Sequence, residues 1–341
     1  MPEQAVEPPG ASDATALADW VELWLFVEEE DELTRDAIKR RLRDEPEDQP
    51  EEPDDERVGA EIEVAGIEKI VREDRRTDLL LSEVIRRSEV VPRIYGLRVK
   101  EEIVSRVQVP GGSIYDLLRW VCQADAPFRG ERMADVELPL DELALETLKV
   151  LLGTQSQGVL FARRYATDPA TETTRPESFP EAVRWLRARV RLKAGLELVP
   201  DGPPDDDEAD HPARTYSDGG VDVVAWRPFK DGRAGFLIAL GQCTIQANWK
   251  PKANDISLPL WGDWIRFVTG PQKVLVIPYA VPDGRSWWRD RTRTAGLIVD
   301  RMRLCELLNE LEDEQLGGLA AAQMADWIWR ERDAYRVARA V

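Results

Sequence analysis

Residues 217–226 read SDGGVDVVAW, and residues 237–244 read LIALGQCT. The first stretch is a glycine-rich turn that leads into an apolar segment carrying a single acid, Asp222. A carboxylate within an apolar strand is costly unless it is paired, protonated or bound to a metal ion. The intervening PFKDGRAG contains an Asp-Gly step, which is typical of a hairpin turn. The two stretches therefore predict neighbouring antiparallel strands, the first with a buried acid.

Four further polar positions accompany Asp222 in this half of the sequence. Side chains alternate along a strand, so Gln242 and Thr244 share one face of the second strand, which the hairpin can bring beside Asp222. Upstream, the leucine spacing of residues 138–152 predicts a helix that carries Asp141 and Glu146. The two strands thus predict one shared polar face, and the helix carries two further acids upstream of it.

The segments around the hairpin alternate between helical and strand patterns. The apolar runs FLIAL and VLVI are typical of strands that are buried on both faces. The order helix, three strands, helix, strand predicts an α/β domain, with a central mixed sheet flanked by helices. The expected elements are strands at 158–165 and 273–279, a last strand at 295–299, and helices at 179–192, 256–268 and 302–314.

The first third of the chain has short amphipathic helices and acidic runs, which predict a mostly helical accessory domain. We expect a disordered tail at 1–15, the accessory domain at 16–130 with an acidic linker near 45–57, the α/β domain at 138–315 and a C-terminal helix at 316–341. No apolar run reaches the roughly 20 residues needed to cross a bilayer. The start of the chain lacks the pattern of a secretion signal. A cytoplasmic protein without a membrane partner is expected.

Composition narrows the chemistry. The chain has one histidine, His211, next to an acidic run, so triads and metalloprotease motifs that need placed imidazoles are not expected. Its three cysteines form no CxxC pair and are expected to be buried small residues. The net charge is −19, yet residues 211–310 hold 14 Lys/Arg and 10 Asp/Glu, a local charge of +4. That balance is compatible with a phosphate-bearing partner of this region.

The two strands and the helix before them resemble the PD-(D/E)xK nuclease superfamily. They are most similar to the restriction-endonuclease branch that cleaves modified DNA, in which a GG-x-D strand precedes a Q-x-K strand. The resemblance covers about half of the chain and implies a restriction-endonuclease-like fold. It implies Asp222 as the main metal ligand, Gln242 as a neutral oxygen ligand, and Asp141 or Glu146 as an outer carboxylate. The implied cofactor is Mg²⁺ or Mn²⁺, which activates a water molecule and stabilises charge on the scissile phosphate.

This sequence departs from the family at the catalytic lysine, and Thr244 takes that catalytic position here. Lys250 and Lys252 follow six and eight residues later, and Lys250 is the candidate for supplying the missing charge. Structural alternatives stay open at each position. Asp222 could bond to amides of the glycine turn, Gln242 could be a satisfied buried amide, and the helix acids and lysines could be solvated surface groups.

Residues 287–293 read WWRDRTR, and Arg285 precedes them. Arginines among aromatic residues can bind phosphates and stack on bases, so Arg285, Arg289, Arg291 and Arg293 are candidate nucleic-acid contacts. The alternative is a surface loop whose tryptophans pack on the core.

The resemblance predicts a divergent metal-dependent nuclease acting on DNA, an endodeoxyribonuclease of prokaryotic restriction or phage defence. The alternative is a catalytically inactive nuclease-fold subunit that binds nucleic acid or a partner protein. A third hypothesis is a scaffold or regulator that binds no nucleic acid. The acidic N-terminal region is the candidate surface for a protein partner, and a homodimer is an option because nucleases of this fold often act in pairs.

Overall fold

The computed structural model describes most of the chain, in eight segments: residues 13–43, 58–122, 134–162, 175–190, 196–198, 218–246, 248–282 and 285–339. Side chains are described for these ranges except at 58–68, 134–135, 196–198, 285–287 and 339. His211, the acidic linker near 45–57 and residues 1–12 of the predicted tail lie outside the described residues.

The described residues form helices and strands of the α/β class. In chain order these are α1 (Ala14–Val27), β1 (Glu32–Thr34), α2 (Arg35–Arg43), α3 (Val58–Val90), β2 (Leu97–Lys100), β3 (Ile103–Arg106), α4 (Gly112–Trp120), α5 (Ala134–Leu152), β4 (Gln157–Leu160), α6 (Phe179–Arg189), β5 (Leu196–Leu198), β6 (Val223–Arg227), β7 (Leu237–Cys243), α7 (Leu258–Gly262), β8 (Ile265–Phe267), β9 (Gln272–Val276), α8 (Arg285–Ala295), β10 (Leu297–Val299), α9 (Arg301–Leu308), α10 (Asp313–Gly318) and α11 (Ala325–Arg339). Short 3-10 helices lie at Lys250–Asn254 and Ala320–Met324.

The chain divides into two compact units. The first takes the described parts of Met1–Arg129 and Ala322–Val341, with Ala280–Pro282, and the second takes those of Gly130–Tyr279 and Asp283–Ala321. The helix predicted at 316–341 is therefore interrupted. Its last part, α11, belongs to the first unit, whereas α10 belongs to the second.

The first unit contains helices α1 to α4 and α11 and an antiparallel sheet of order β1-β3-β2. Its core holds a buried ion-pair network around Arg87, whose side chain is 0% exposed. The Arg87 guanidinium donates to Asp19 at 2.7 Å, Glu22 at 2.6 Å and Glu83 at 2.9 Å. Tyr115 donates its hydroxyl to Glu22 at 3.0 Å. The network joins α1, α3 and α4. Removing one of its charged partners would leave an uncompensated buried charge, so these contacts stabilise the packing of the three helices.

The second unit is built on a mixed five-stranded sheet of order β10-β9-β7-β6-β4. β4, β6 and β7 are antiparallel neighbours, and β9 and β10 continue parallel to β7. A core cluster fills one face of the sheet, where Val224 and Leu240 pack with α6 residues such as Val183 and Leu186. The opposite face meets α5, since a Cβ on Gly241 would lie 3.0 Å from Leu148. Helices thus cover both faces of the central strands.

The predicted hairpin is confirmed, because Val223 pairs with Gly241 and Arg227 with Leu237. The predicted helix at 256–268 is wrong in its second half. Helix α7 starts after the cap Ser257 and ends at Gly262, and Ile265–Phe267 then forms β8, which pairs with β5. This strand depends on a partner some 70 residues away, a non-local contact that overrides local helical spacing.

None of the helices in the described part of the chain is long and apolar enough to cross a membrane.

Candidate metal centre

Asp222 lies immediately before β6, at the sheet edge where β6 begins and β7 ends. Its backbone is fully engaged. The amide donates to the carbonyl oxygen of Gly241 at 2.8 Å, and the carbonyl accepts from Phe161 at 2.6 Å and Ala162 at 3.0 Å. The Asp222 carboxylate, 5% exposed, accepts a hydrogen bond at Oδ2 from the backbone amide of Cys243 at 2.7 Å. Its position is therefore fixed by the three antiparallel strands β4, β6 and β7.

The turn before Asp222 explains the two glycines. Gly219 and Gly220 have φ values of +63° and +74°, in the left-handed region that glycine tolerates best. A Cβ on Gly220 would collide with the carbonyl oxygen of Asp255. Asp218 caps the turn by accepting the amide of Gly220 at 3.0 Å, as its Asp-Gly sequence predicts. The turn thus determines where Asp222 lies at the start of β6.

Asp141 approaches the same point from α5. It lies three and seven residues before Ala144 and Leu148, which puts all three on one stripe of the helix, and all three are 0% exposed. This stripe faces the sheet, because Leu148 lies against Gly241. A helix acid is thus buried with the core residues, and the alternative of a solvated surface group is wrong for Asp141.

The third member of the cluster is Cys243, the last residue of β7, which is 8% exposed. The Cys243 Sγ atom and one oxygen each of Asp141 and Asp222 all lie within 4.8 Å of one another. These are potential ligand atoms on three different elements. Two carboxylate oxygens and a thiol at this spacing can enclose one metal ion after a small contraction.

Gln242 and Thr244, the other strand residues of the predicted site, are buried but serve the backbone around them. Gln242 Nε2 donates to the carbonyl oxygen of Cys243 at 3.2 Å. Strand alternation directs the Gln242 side chain to the face opposite that of Cys243. Thr244 donates its amide to Val276 at 3.2 Å, and its Oγ1 accepts from the amide of Gln246 at 3.2 Å. The metal role predicted for Gln242 and the catalytic role predicted for Thr244 stay predictions.

Glu146 and Lys250 lie apart from these contacts. Glu146 is five residues after Asp141, about 140° further round the helix, and it pairs with Lys149 at 2.7 Å. Lys250 is exposed on the first 3-10 helix. Its neighbour Lys252 forms an ion pair with Asp255 at 2.9 Å. Lys250 therefore lies on the surface, as expected from the alternative that the lysines are solvated surface groups.

The arginine-rich stretch is a helix, α8, and not a loop. Arg289 and Arg293 are exposed and lie four residues apart, on one side of the helix, and Arg291 is partly exposed. The Arg285 side chain lies outside the described residues. Trp288 is half-buried under the guanidinium of Arg303, 4.6 Å from its ring centre.

A second basic segment adjoins α8. Lys273 Nζ donates to the carbonyl oxygen of Ala253, in the 3-10 helix that carries Lys250, and to that of Thr294 in α8. Burial lowers the pKa of Lys273 from its ordinary value. The 3-10 helix and α8 are thus neighbours, and together they present lysines and arginines on the second unit.

Sequence reasoning missed Cys243 as a member of the cluster, having assigned it as a buried small residue. The available signal was its position between Gln242 and Thr244. If the strand directs those two side chains to one face, it directs Cys243 to the other. The helix bearing Asp141 packs on that other face.

Comparison with known proteins adds no relative. No family model matches the chain, and no curated protein or solved structure matches it.

Proposed function

We propose that the second unit is a divergent metal-dependent nuclease that acts on DNA, with a divalent cation held by Asp141 and Asp222. The observation that carries this proposal is the meeting of these two buried carboxylates. They lie on the helix and strand to which the resemblance assigns metal ligands. Carboxylate oxygens are the usual ligands of Mg²⁺ and Mn²⁺.

The order of elements also supports the proposal. Helix α5 precedes the antiparallel strands β4, β6 and β7, and α7 and β9 follow. This is the order that the resemblance implies for a restriction-endonuclease-like fold. In it, Asp222 and Cys243 occupy one edge of the sheet, where a phosphate could approach the ends of two strands.

The chemistry follows from the placement of the side chains. A bound divalent cation would lower the pKa of a coordinated water and offset charge on the scissile phosphate. Asp222 is positioned for this role because the Cys243 amide holds its Oδ2 atom. Lys250 remains the candidate for the family's lysine. It is exposed and follows β7 by seven residues.

The nucleic-acid partner is proposed from the basic surface. Arg289 and Arg293 lie on α8, which neighbours the 3-10 helix that carries Lys250. Exposed arginines and lysines bind phosphates without sequence preference. The local charge of +4 in residues 211–310 agrees with such a surface in an otherwise acidic chain.

One observation favours a second candidate, an inactive nuclease-fold subunit that binds nucleic acid or a partner protein. Thr244 replaces the lysine, and its hydroxyl is engaged by the amide of Gln246. A threonine cannot supply the positive charge that stabilises the attacking water. Under this second candidate function, the protein has the same fold and the same basic surface but does not cleave DNA.

A cleavage assay separates the two. Wild-type protein is incubated with plain and modified duplex DNA in Mg²⁺ or Mn²⁺, beside Asp222→Asn and Asp141→Asn. Asp231→Asn, in the exposed hairpin turn, is the matched control. The nuclease proposal expects cleavage by wild type and Asp231→Asn and a loss of at least about a hundredfold in the other two. Cleavage that survives both Asp222→Asn and Asp141→Asn overturns the site, and DNA binding without cleavage by wild type favours the inactive subunit.

A further inference from the structure

We infer that Cys243 is itself a metal ligand, so that the centre selects Zn²⁺ over Mg²⁺. The inference rests on the proposed function in placing a cation between Asp141 and Asp222. It goes beyond that function in naming the third ligand and the class of metal.

The distances fit a single small cation. Zinc binds thiolate sulfur at about 2.3 Å and carboxylate oxygen at about 2.0–2.2 Å, so tetrahedral ligand atoms are separated by roughly 3–4 Å. The Cys243 sulfur and the two carboxylate oxygens lie within 4.8 Å of one another without an ion. Closing around zinc therefore requires shifts of an ångström or less, within the reach of side-chain rotation.

The backbone around Cys243 fixes the direction of its side chain. Its own amide is held by Asp222 at 2.7 Å, and the amide of Thr244 is held by the Val276 carbonyl at 3.2 Å. Both bonds anchor the end of β7 between its neighbouring strands. The sulfur is thus preorganised toward α5, and binding a cation does not require the strand to be ordered first.

The low exposure of the three proposed ligands favours the binding of a cation between them. Asp141 is 0%, Asp222 5% and Cys243 8% exposed. To ionise two carboxyl groups and a thiol so close together and so little exposed is costly, and a divalent cation offsets that cost. A cysteine binds zinc as the thiolate, so binding releases the thiol proton.

Sulfur decides which cation binds best. Thiolate is a soft ligand that favours Zn²⁺, whereas Mg²⁺ requires oxygen ligands in octahedral geometry. Three protein ligands leave the fourth tetrahedral position for water or a phosphate oxygen, as in catalytic zinc sites. The proposed ligand class is therefore a thiophilic divalent cation, with Zn²⁺ as the expected ion.

The test uses the full chain, stripped with a chelator and kept reduced. Zn²⁺ and Mg²⁺ are titrated by calorimetry, and Co²⁺ is added as a spectroscopic probe that absorbs in the near ultraviolet when bound by thiolate. We expect one Zn²⁺ per chain, bound at least about a hundredfold more tightly than Mg²⁺, and a sulfur-to-cobalt band. Cys243→Ser should remove the band and weaken Zn²⁺ at least about tenfold, with little change for Mg²⁺. Cys122→Ser, in the first unit, is the matched control and should retain both.

Absence of the band in the wild-type protein, or its persistence in Cys243→Ser, overturns the inference. The wild-type spectrum decides the matter even if Cys243→Ser fails to fold. The two proposals fail separately. Zinc binding through Cys243 without DNA cleavage refutes the nuclease alone, whereas Mg²⁺-supported cleavage that is unaffected by Cys243→Ser, with no zinc bound, refutes only the thiolate ligand.

Discussion

The Oδ2 atom of Asp222 accepts a 2.7 Å hydrogen bond from the backbone amide of Cys243. One side chain thereby continues the pairing of β6 with β7 beyond the first residue of β6. The same bond holds the carboxylate beside the cysteine sulfur and Asp141. Asp222 thus joins the end of the sheet to the cluster, and a change there is expected to affect stability and metal binding together.

Replacing Asp222 by alanine or asparagine tests its structural role. Asp222→Ala leaves the buried Cys243 amide without its acceptor, which is expected to lower the free energy of unfolding by about 1–3 kcal/mol. Asp222→Asn keeps an oxygen that can accept the bond and removes one of two neighbouring buried carboxylates, so its loss is smaller. Urea unfolding of the metal-free proteins measures both. Equal stability of the alanine variant and wild type would contradict the role of this bond.

The glycine turn is expected to be intolerant of a side chain. Gly220 has a φ of +74°, and a Cβ there would meet the carbonyl oxygen of Asp255. Gly220→Ala should therefore lower the free energy of unfolding by about 2–4 kcal/mol, from strain and steric overlap. Gly262→Ala is the control, because nothing lies within 4 Å of a Cβ at that position. Similar thermal melting of the two variants would show that the turn is not built as described.

The buried network of the first unit predicts acid sensitivity. Burial opposes the ionisation of Glu83, but hydrogen bonds and charge from Arg86 and Arg87 outweigh it and lower its pKa below the ordinary 4.5. A lowered folded pKa gives stability that is present above the unfolded pKa of about 4.5 and is lost as the pH falls toward the folded value.

Glu83→Gln should therefore be less stable than wild type at pH 7, with the difference shrinking as the pH falls below about 4.5. Glu89→Gln, an exposed position on the same helix, should show little difference at either pH. Urea unfolding across this pH range measures both. A difference for Glu83→Gln that stays constant with pH would show that Glu83 is not stabilised as a carboxylate.

The proposed basic surface predicts how the affinity for DNA depends on salt concentration. If Arg289 and Arg293 bind phosphates, replacing both by alanine should reduce the slope of log Kd against log salt concentration by about 2. The control is Arg233→Ala, an exposed arginine in the hairpin turn, whose side chain is 86% exposed. Fluorescence anisotropy with a labelled duplex gives the slopes. An unchanged slope in the double variant would remove α8 from the binding surface.

The sequence predicted the central strands because their signals are local. Apolar runs and the Asp-Gly step place β6 and β7, and leucine spacing places α5. It missed β8, because that strand exists through pairing with β5. Helix α3 runs from Val58 to Val90 and is far longer than the short helices that the sequence predicted for the first third of the chain. Its later turns include Arg87, a buried charge that only its partners in other elements explain.

The site was predictable in part, because two of its residues also give local signals. Asp222 and Asp141 stand out as acids within apolar patterns. Val223 pairs with Gly241, so in an ideal hairpin the next pair would be Asp222 with Gln242. Strand alternation would then place these two side chains on the same face. Asp222, however, lies outside β6, so its side chain is free of that alternation and bonds the backbone of Cys243 instead. Strand alternation indicated which face Cys243 occupies, but the local pattern did not show that the Asp222 side chain would join it there.

Asp141, Asp222 and Cys243 are proposed to hold one cation. X-ray absorption at the zinc edge of the zinc-loaded full chain tests it most directly. We expect one sulfur at about 2.3 Å from zinc and the remaining ligands as oxygens at about 2.0–2.2 Å, with the sulfur lost in Cys243→Ser. A zinc shell of oxygen and nitrogen alone in the wild-type protein, or one unchanged by Cys243→Ser, would contradict it.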